Sequence, residues 1–100
     1  MRKPYRLTKQ AANDLKDIWH YTADTHSETQ ADIYLTALKT GCVKIAENPN
    51  RWRILKLENC EVRFYLCEHH YIVYLASGTK DTEVVILAFL LDILTGLKPQ

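Results

Sequence analysis

Arg63 and His70 are the residues of this chain whose types and spacing could do chemistry, with Glu68 and His69 between them. A histidine near a carboxylate can move a proton, and an arginine can hold developing negative charge on a transferred group. Arg53 would supply a second cation to such a cradle. The local pattern argues against catalysis. Adjacent strand residues face opposite sides of a sheet, so His69 and His70 cannot build one site together. Turn or surface packing is the competing role for His70, and no catalytic residue is expected. Arg63 alternates away from Val62, Phe64 and Leu66. It reads equally as a solvated strand arginine or as a contact to a binding partner. Trp52 sits between Arg51 and Arg53, where an exposed indole could stack on a partner. The alternative is that Trp52 folds back over the sheet.

Other chemistries find little support. No carboxylate pair stands at glycosidase spacing, and no glycine-rich phosphate loop occurs. The cysteines are Cys42, Cys60 and Cys67, without a CxxC pair, so neither a metal site nor a cofactor is expected. An odd, unpaired set suits reduced thiols in a cytoplasmic protein. The start of the chain is charged, which does not suit a signal peptide, and the longest apolar run, 84–91, is far short of a membrane span. The chain has 100 residues, 47% hydrophobic and 25% charged, a length and balance that suit one folded domain over residues 1–100. Formal net charge is +1, from 13 basic and 12 acidic side chains. Direct nucleic-acid binding is not expected from that balance, since such proteins carry a strong basic excess.

The elements that must position these residues follow from periodicity and capping. Residues 4–8 alternate as a short strand. Thr8 reads as an N-cap, with Leu7 placed to staple onto Ala12. Ala11, Leu15, Ile18 and Thr22 recur at helical spacing, giving a helix over 9–24. Ser27 with Gln30 fits a capping box for a second helix, whose apolar face is Ala31, Tyr34, Leu35, Leu38, Cys42 and Ile45. Gly41 inside it suggests a close approach between the two helices. Asn48-Pro49 ends it. Strand patterns follow at 53–57, 61–67 and 70–76, with Glu68-His69 as a turn and 77–81 as a polar loop. Residues 84–89 open with β-branched residues and read as a strand covered on both faces. Leu90, Leu91, Leu94 and Leu97 would form a helical stripe. The plan is α+β: an N-terminal strand, a helical hairpin, then an antiparallel β-meander, with the helices packed on one sheet face.

In this order the pieces resemble the ParE branch of the RelE/ParE toxin superfamily. The resemblance is carried by Lys3-Pro4-Tyr5-Arg6-Leu7-Thr8, Asp14-Leu15-Lys16-Asp17-Ile18-Trp19, Gln30-Ala31-Asp32-Ile33-Tyr34-Leu35 and Ile45-Ala46-Glu47-Asn48-Pro49. Arg63, with His70 leading into Ile72-Val73-Tyr74, matches the family's strand arginine and following histidine, and Asp92 follows the last strand. The resemblance implies the toxin of a type II toxin–antitoxin pair, with DNA gyrase as its target and a ParD-like antitoxin as its partner. Family members commonly end the last strand with a histidine and, two residues on, an arginine. Ala88 and Leu90 stand there, which argues against nuclease activity and against toxicity of the usual kind.

Two alternatives remain open within the resemblance. One is a ribosome-dependent mRNA endonuclease of the RelE type, which would draw on Arg53, Arg63, Glu68 and His70. The other is an inactive relative that binds only its antitoxin. The binding candidates are Trp52, Arg53, Arg63, His70, Phe89, Leu90, Leu91 and Leu94. The apolar 84–94 end should be covered by the antitoxin tail or by a second copy, as a homodimer or a hetero-oligomer.

Overall fold

The structure is a computed structural model that describes residues 5–56, 58, 60–75 and 84–91. Strand β1 (Tyr5–Leu7) leads into helices α1 (Lys9–Thr25) and α2 (Glu28–Glu47), followed by β2 (Arg53–Lys56), β3 (Glu61–Cys67), β4 (His70–Leu75) and β5 (Val84–Leu91). They form a five-stranded sheet of order β1-β5-β4-β3-β2. The meander is antiparallel, as expected, but β1 joins beside β5 in parallel, with Leu7 opposite Ile86. Leu94 and the rest of the proposed stripe beyond 91 lie outside the described residues. Leu90 and Leu91 belong to β5.

Both helix starts form as their capping residues dictate. The Thr8 hydroxyl accepts from the Ala11 N–H at 3.1 Å, and Ser27 Oγ accepts from the Gln30 N–H at 3.0 Å. Each cap satisfies a backbone donor that the first helical turn leaves without a partner. Thr8 does a second job, donating its hydroxyl to the Leu87 carbonyl at 3.0 Å. Asp14 Oδ2 accepts from the Phe89 N–H at 3.0 Å. Beyond the end of β1, the exposed edge of β5 is therefore closed by two side chains of the α1 region.

The core lies between the helical hairpin and one face of the sheet. Ala11, Leu15 and Ile18 of α1, with Leu38, Cys42 and Ile45 of α2, pack on Cys67, Ile72, Tyr74, Val84, Ile86 and Phe89. A bulge lies between Val73 and Tyr74, where the register skips Leu87. It shifts the inward phase of β5 from Val84 and Ile86 to Phe89. The strand is buried on the helix side only. Its other face, Val85 and Ala88, is half-buried rather than covered.

Gly41 makes its close approach to the sheet, not to α1. A Cβ there would stand 2.8 Å from Cys67 Sγ and 3.1 Å from Ile72 Cδ1. The missing side chain lets α2 lie directly on β3 and β4. The two helices are tied instead at the surface, where Trp19 Nε1 donates to Asp32 Oδ1 at 2.8 Å.

Candidate functional site: a groove at the hairpin end of the sheet

Helix α2 runs along β4, and polar residues meet at both ends of that seam. At one end the chain leaves α2 through Pro49 and returns as β2. Tyr74, fully buried, donates its hydroxyl to the Pro49 carbonyl at 2.7 Å. Arg63 Nη1 donates to the Trp52 carbonyl at 2.6 Å. Trp52 folds back over the sheet, with its ring 4.2 Å from that of Tyr65 and the Arg51 guanidinium 5.1 Å above it. The indole N–H is buried and finds no partner among the described residues. Arg63 is thus half-buried and clamps a loop, rather than standing solvated on the strand. Burial pushes the Tyr74 phenol up to about 12, with Arg63 opposing, so it stays a donor at neutral pH.

At the other end, Tyr34 of α2 meets the β3–β4 turn. Its hydroxyl lies 2.7 Å from His70 Nδ1 and accepts from the His69 N–H at 3.0 Å. Burial lowers the His70 pKa, with His69 adding to the effect and Asp14 opposing it. A neutral ring with its proton on Nε2 can accept from the Tyr34 hydroxyl at Nδ1. The turn itself is strained. Glu68 has φ 57°, a left-handed conformation that costs a non-glycine residue about 1 kcal/mol. Tyr34 pins it by taking the next backbone N–H.

A groove of about 1040 Å³ opens beside this turn. Ile18 and Leu91 supply apolar wall, and Asp17, Gln30, Glu68 and His69 supply a polar rim. Leu91 pairs with His70 across β4 and β5 and is 57% exposed. An apolar floor with a polar rim suits one face of an amphipathic helix or an extended peptide.

The sequence candidates therefore separate. His70 and Leu91 line the groove, and Phe89 lies behind it in the core. Trp52 and Arg63 form the clamp at the far end of the seam. Arg53 pairs with Phe64 and Leu90 with Tyr71, which places both on the sheet face away from the helices. Sequence reasoning missed Tyr34, which it read as core or flank, and Asp14. The place of Tyr34 on the apolar α2 stripe, about two turns in from the hairpin, gave no sign of its hydroxyl contact. Two of the three cysteines, Cys42 and Cys67, are buried and inert by environment. Burial pushes the Cys42 thiol up to about 12, and Cys67 is buried beside Gly41. Among the described residues no cluster is arranged to hold a metal ion, and no helix is long and apolar enough to cross a membrane.

The described residues thus form a helical hairpin on one face of a mostly antiparallel sheet, with a groove at the hairpin end. The profile described as "ParE toxin of type II toxin-antitoxin system, parDE" matches residues 5–91, and the chain belongs to this family. Toxin ParE of Escherichia coli is 30% identical over 94 residues, which cover 93% of this chain and 91% of the relative. Toxin ParE1 of Caulobacter vibrioides is 43% identical over 47 residues, 47% of this chain and 49% of that one. The fold is similar to that in a solved chromosomal ParDE system from P. aeruginosa, with a TM-score of 0.73 at 18% identity, covering 87% of this chain and 92% of that one.

Proposed function

We propose that this ParE-family chain is a non-enzymatic cytoplasmic toxin that inhibits DNA gyrase by binding it, and that a ParD-like antitoxin neutralises it through the groove beside His70. The observation that carries this reading is the groove, with Leu91 exposed on its wall and Tyr34 and His70 fixed at its edge. An antitoxin tail that folds on binding would lay an apolar face on Leu91 and Ile18 and keep its polar face toward Asp17 and Gln30.

The placement of the charged groups favours binding over RNA cleavage. Arg63 and His70 lie on one face of the sheet, but Arg63 pairs with Tyr74, four residues along β4 from His70. Four strand residues span about 13 Å, too far for one proton-transfer and phosphate-stabilising site. Arg53 lies on the opposite face. The groups that a nuclease would have to draw together are dispersed, and the two central ones are already held by Trp52 and Tyr34.

Purified chain added to gyrase should inhibit supercoiling and leave cleaved DNA trapped, while ribosome-bound message stays intact. Message cut in the ribosome with supercoiling unaffected would replace this reading with the endonuclease. Co-expression with the product of a neighbouring antitoxin frame should relieve growth arrest and give a stable hetero-oligomer in solution.

A further inference from the structure

The face of α2 turned away from the sheet carries a stripe that packing within the chain does not use. Ile33, Thr36, Thr40 and Val43 follow at spacings of three, four and three residues, on the side of the helix opposite the buried Leu38, Cys42 and Ile45. Ile33 is 56% and Val43 38% exposed. The two threonines do not make the stripe polar. Thr36 Oγ1 donates to the Asp32 carbonyl and Thr40 Oγ1 to the Thr36 carbonyl, both at 2.9 Å. Each hydroxyl already has its acceptor within the helix, so the methyl group is what the side chain has to offer a neighbour. The outer face of α1 is built differently. Lys9, Asn13, Lys16, His20 and Asp24 recur along it, all polar and exposed.

A three-four-three spacing is the seam of a two-helix contact. This seam reads the same from both ends, so it matches itself when the second helix runs antiparallel. The flanking charges make the same demand. Glu28 and Asp32 flank the N-terminal half of α2, and Lys39 and Lys44 the C-terminal half. Antiparallel pairing sets each acidic half along a basic one, whereas parallel pairing sets like charge against like. Glu47 then comes level with Thr29, not with a carboxylate. We propose that two copies of this chain pair through α2 about a two-fold axis, with Ile33 of one packed on Val43 of the other and Thr36 on Thr40.

Such a contact is isologous and closes on itself, so it stops at a dimer. It is also modest. Ile33 and Val43 stand about 15 Å apart along the helix. One helix pair offers less than the about 800 Å² per partner of a durable complex, so the dimer forms as concentration rises. Of α2, only Gln30 and Tyr34 line the groove at the hairpin end, so pairing leaves both grooves open. The inference does not rest on the toxin reading.

Sedimentation should show the chain passing from monomer toward dimer as concentration climbs to the millimolar range. Ile33→Lys with Val43→Lys, both at exposed positions, should keep the circular dichroism of the parent and weaken association at least tenfold. Equal association of variant and parent would overturn the proposal. A monomer at every concentration, with antitoxin affinity lost in the same variant, would assign the stripe to the antitoxin and also overturn it. Orientation is read by disulfide trapping in a Cys60→Ser background, because Cys60 is an exposed native thiol. Chains carrying Ile33→Cys mixed with chains carrying Val43→Cys should link to one another under mild oxidation. Either variant alone should stay unlinked, since its two thiols sit about 15 Å apart along the paired helices, beyond the about 6 Å Cα separation of a disulfide. Linking of a single variant as fast as the mixture, or no linking in the mixture, would overturn the antiparallel pair.

Discussion

The two ends of the seam between α2 and the sheet use similar residues and reach different results. At the Trp52 end, Arg63 and Tyr74 donate to the backbone carbonyls of Trp52 and Pro49. Those acceptors belong to the connection between α2 and β2, so the bonds close the end and leave little free surface. At the Tyr34 end, two side chains and one backbone N–H bind one another at a strained two-residue turn. The chain turns away on both sides, α1 to α2 and β3 to β4, and a groove remains between the turns. A polar residue that reaches a loop carbonyl becomes a clamp. One that reaches another side chain at a turn leaves an edge where a partner can bind.

Both ends rest on the contact at Gly41, so the largest expected effect is there. Gly41→Val would drive a side chain into Cys67 Sγ and Ile72 Cδ1 and should cost about 3 kcal/mol in urea unfolding, loosening both ends together. Arg63→Met separates them. It removes a bond from a charged donor at a half-buried site and should cost about 2 kcal/mol, with antitoxin affinity unchanged once folding is corrected for.

Tyr34→Phe should cost about 1 kcal/mol, because the His69 N–H and His70 Nδ1 lose their partner. It should also change the pH dependence. The folded state favours neutral His70, so between its lowered folded pKa and the ordinary 6.5 the unfolded chain binds more protons. Stability is full above 6.5 and falls as pH drops through the folded pKa. His70→Gln should flatten that decline, read by urea midpoints across pH 4 to 8. A smaller stability effect is expected from Glu68→Gly, a gain of about 0.5 kcal/mol, because glycine accepts the left-handed turn but orders a freer unfolded chain. Leu91→Lys should leave stability nearly unchanged and lower antitoxin affinity at least tenfold by calorimetry, the reverse of Arg63→Met.

Much of the fold was legible because its signals are local. Thr8 and Ser27 announce the helix starts, Asn48-Pro49 the end of α2, and Glu68-His69 the turn. What was not legible depends on pairing. The apolar triplet Val62, Phe64 and Leu66 looks like a core face, yet the helices sit on the side of Arg63, Tyr65 and Cys67. Alternation shows that two faces exist but not which one is covered. The bulge opposite Leu87 moves the inward phase of β5, so Leu90 and Leu91, adjacent in one apolar run, serve different surfaces. Gly41 signalled a close approach, but it is made to the sheet and not to α1 as its place in a helical hairpin suggested. Of the site, His70 was readable from its resemblance to the family pattern. Its partner Tyr34 was not, because a tyrosine on an apolar helical stripe carries no mark that its hydroxyl meets a turn 35 residues further along the sequence.

The measurement that tests the account most directly is amide hydrogen exchange of the chain with and without its antitoxin. Slowed exchange at 67–71 and 89–91, with 50–56 and 63 unchanged, is the predicted result. Protection concentrated at 50–56 and 63, with the His70 turn exchanging as before, would place the partner on the clamp and contradict the assignment of the groove.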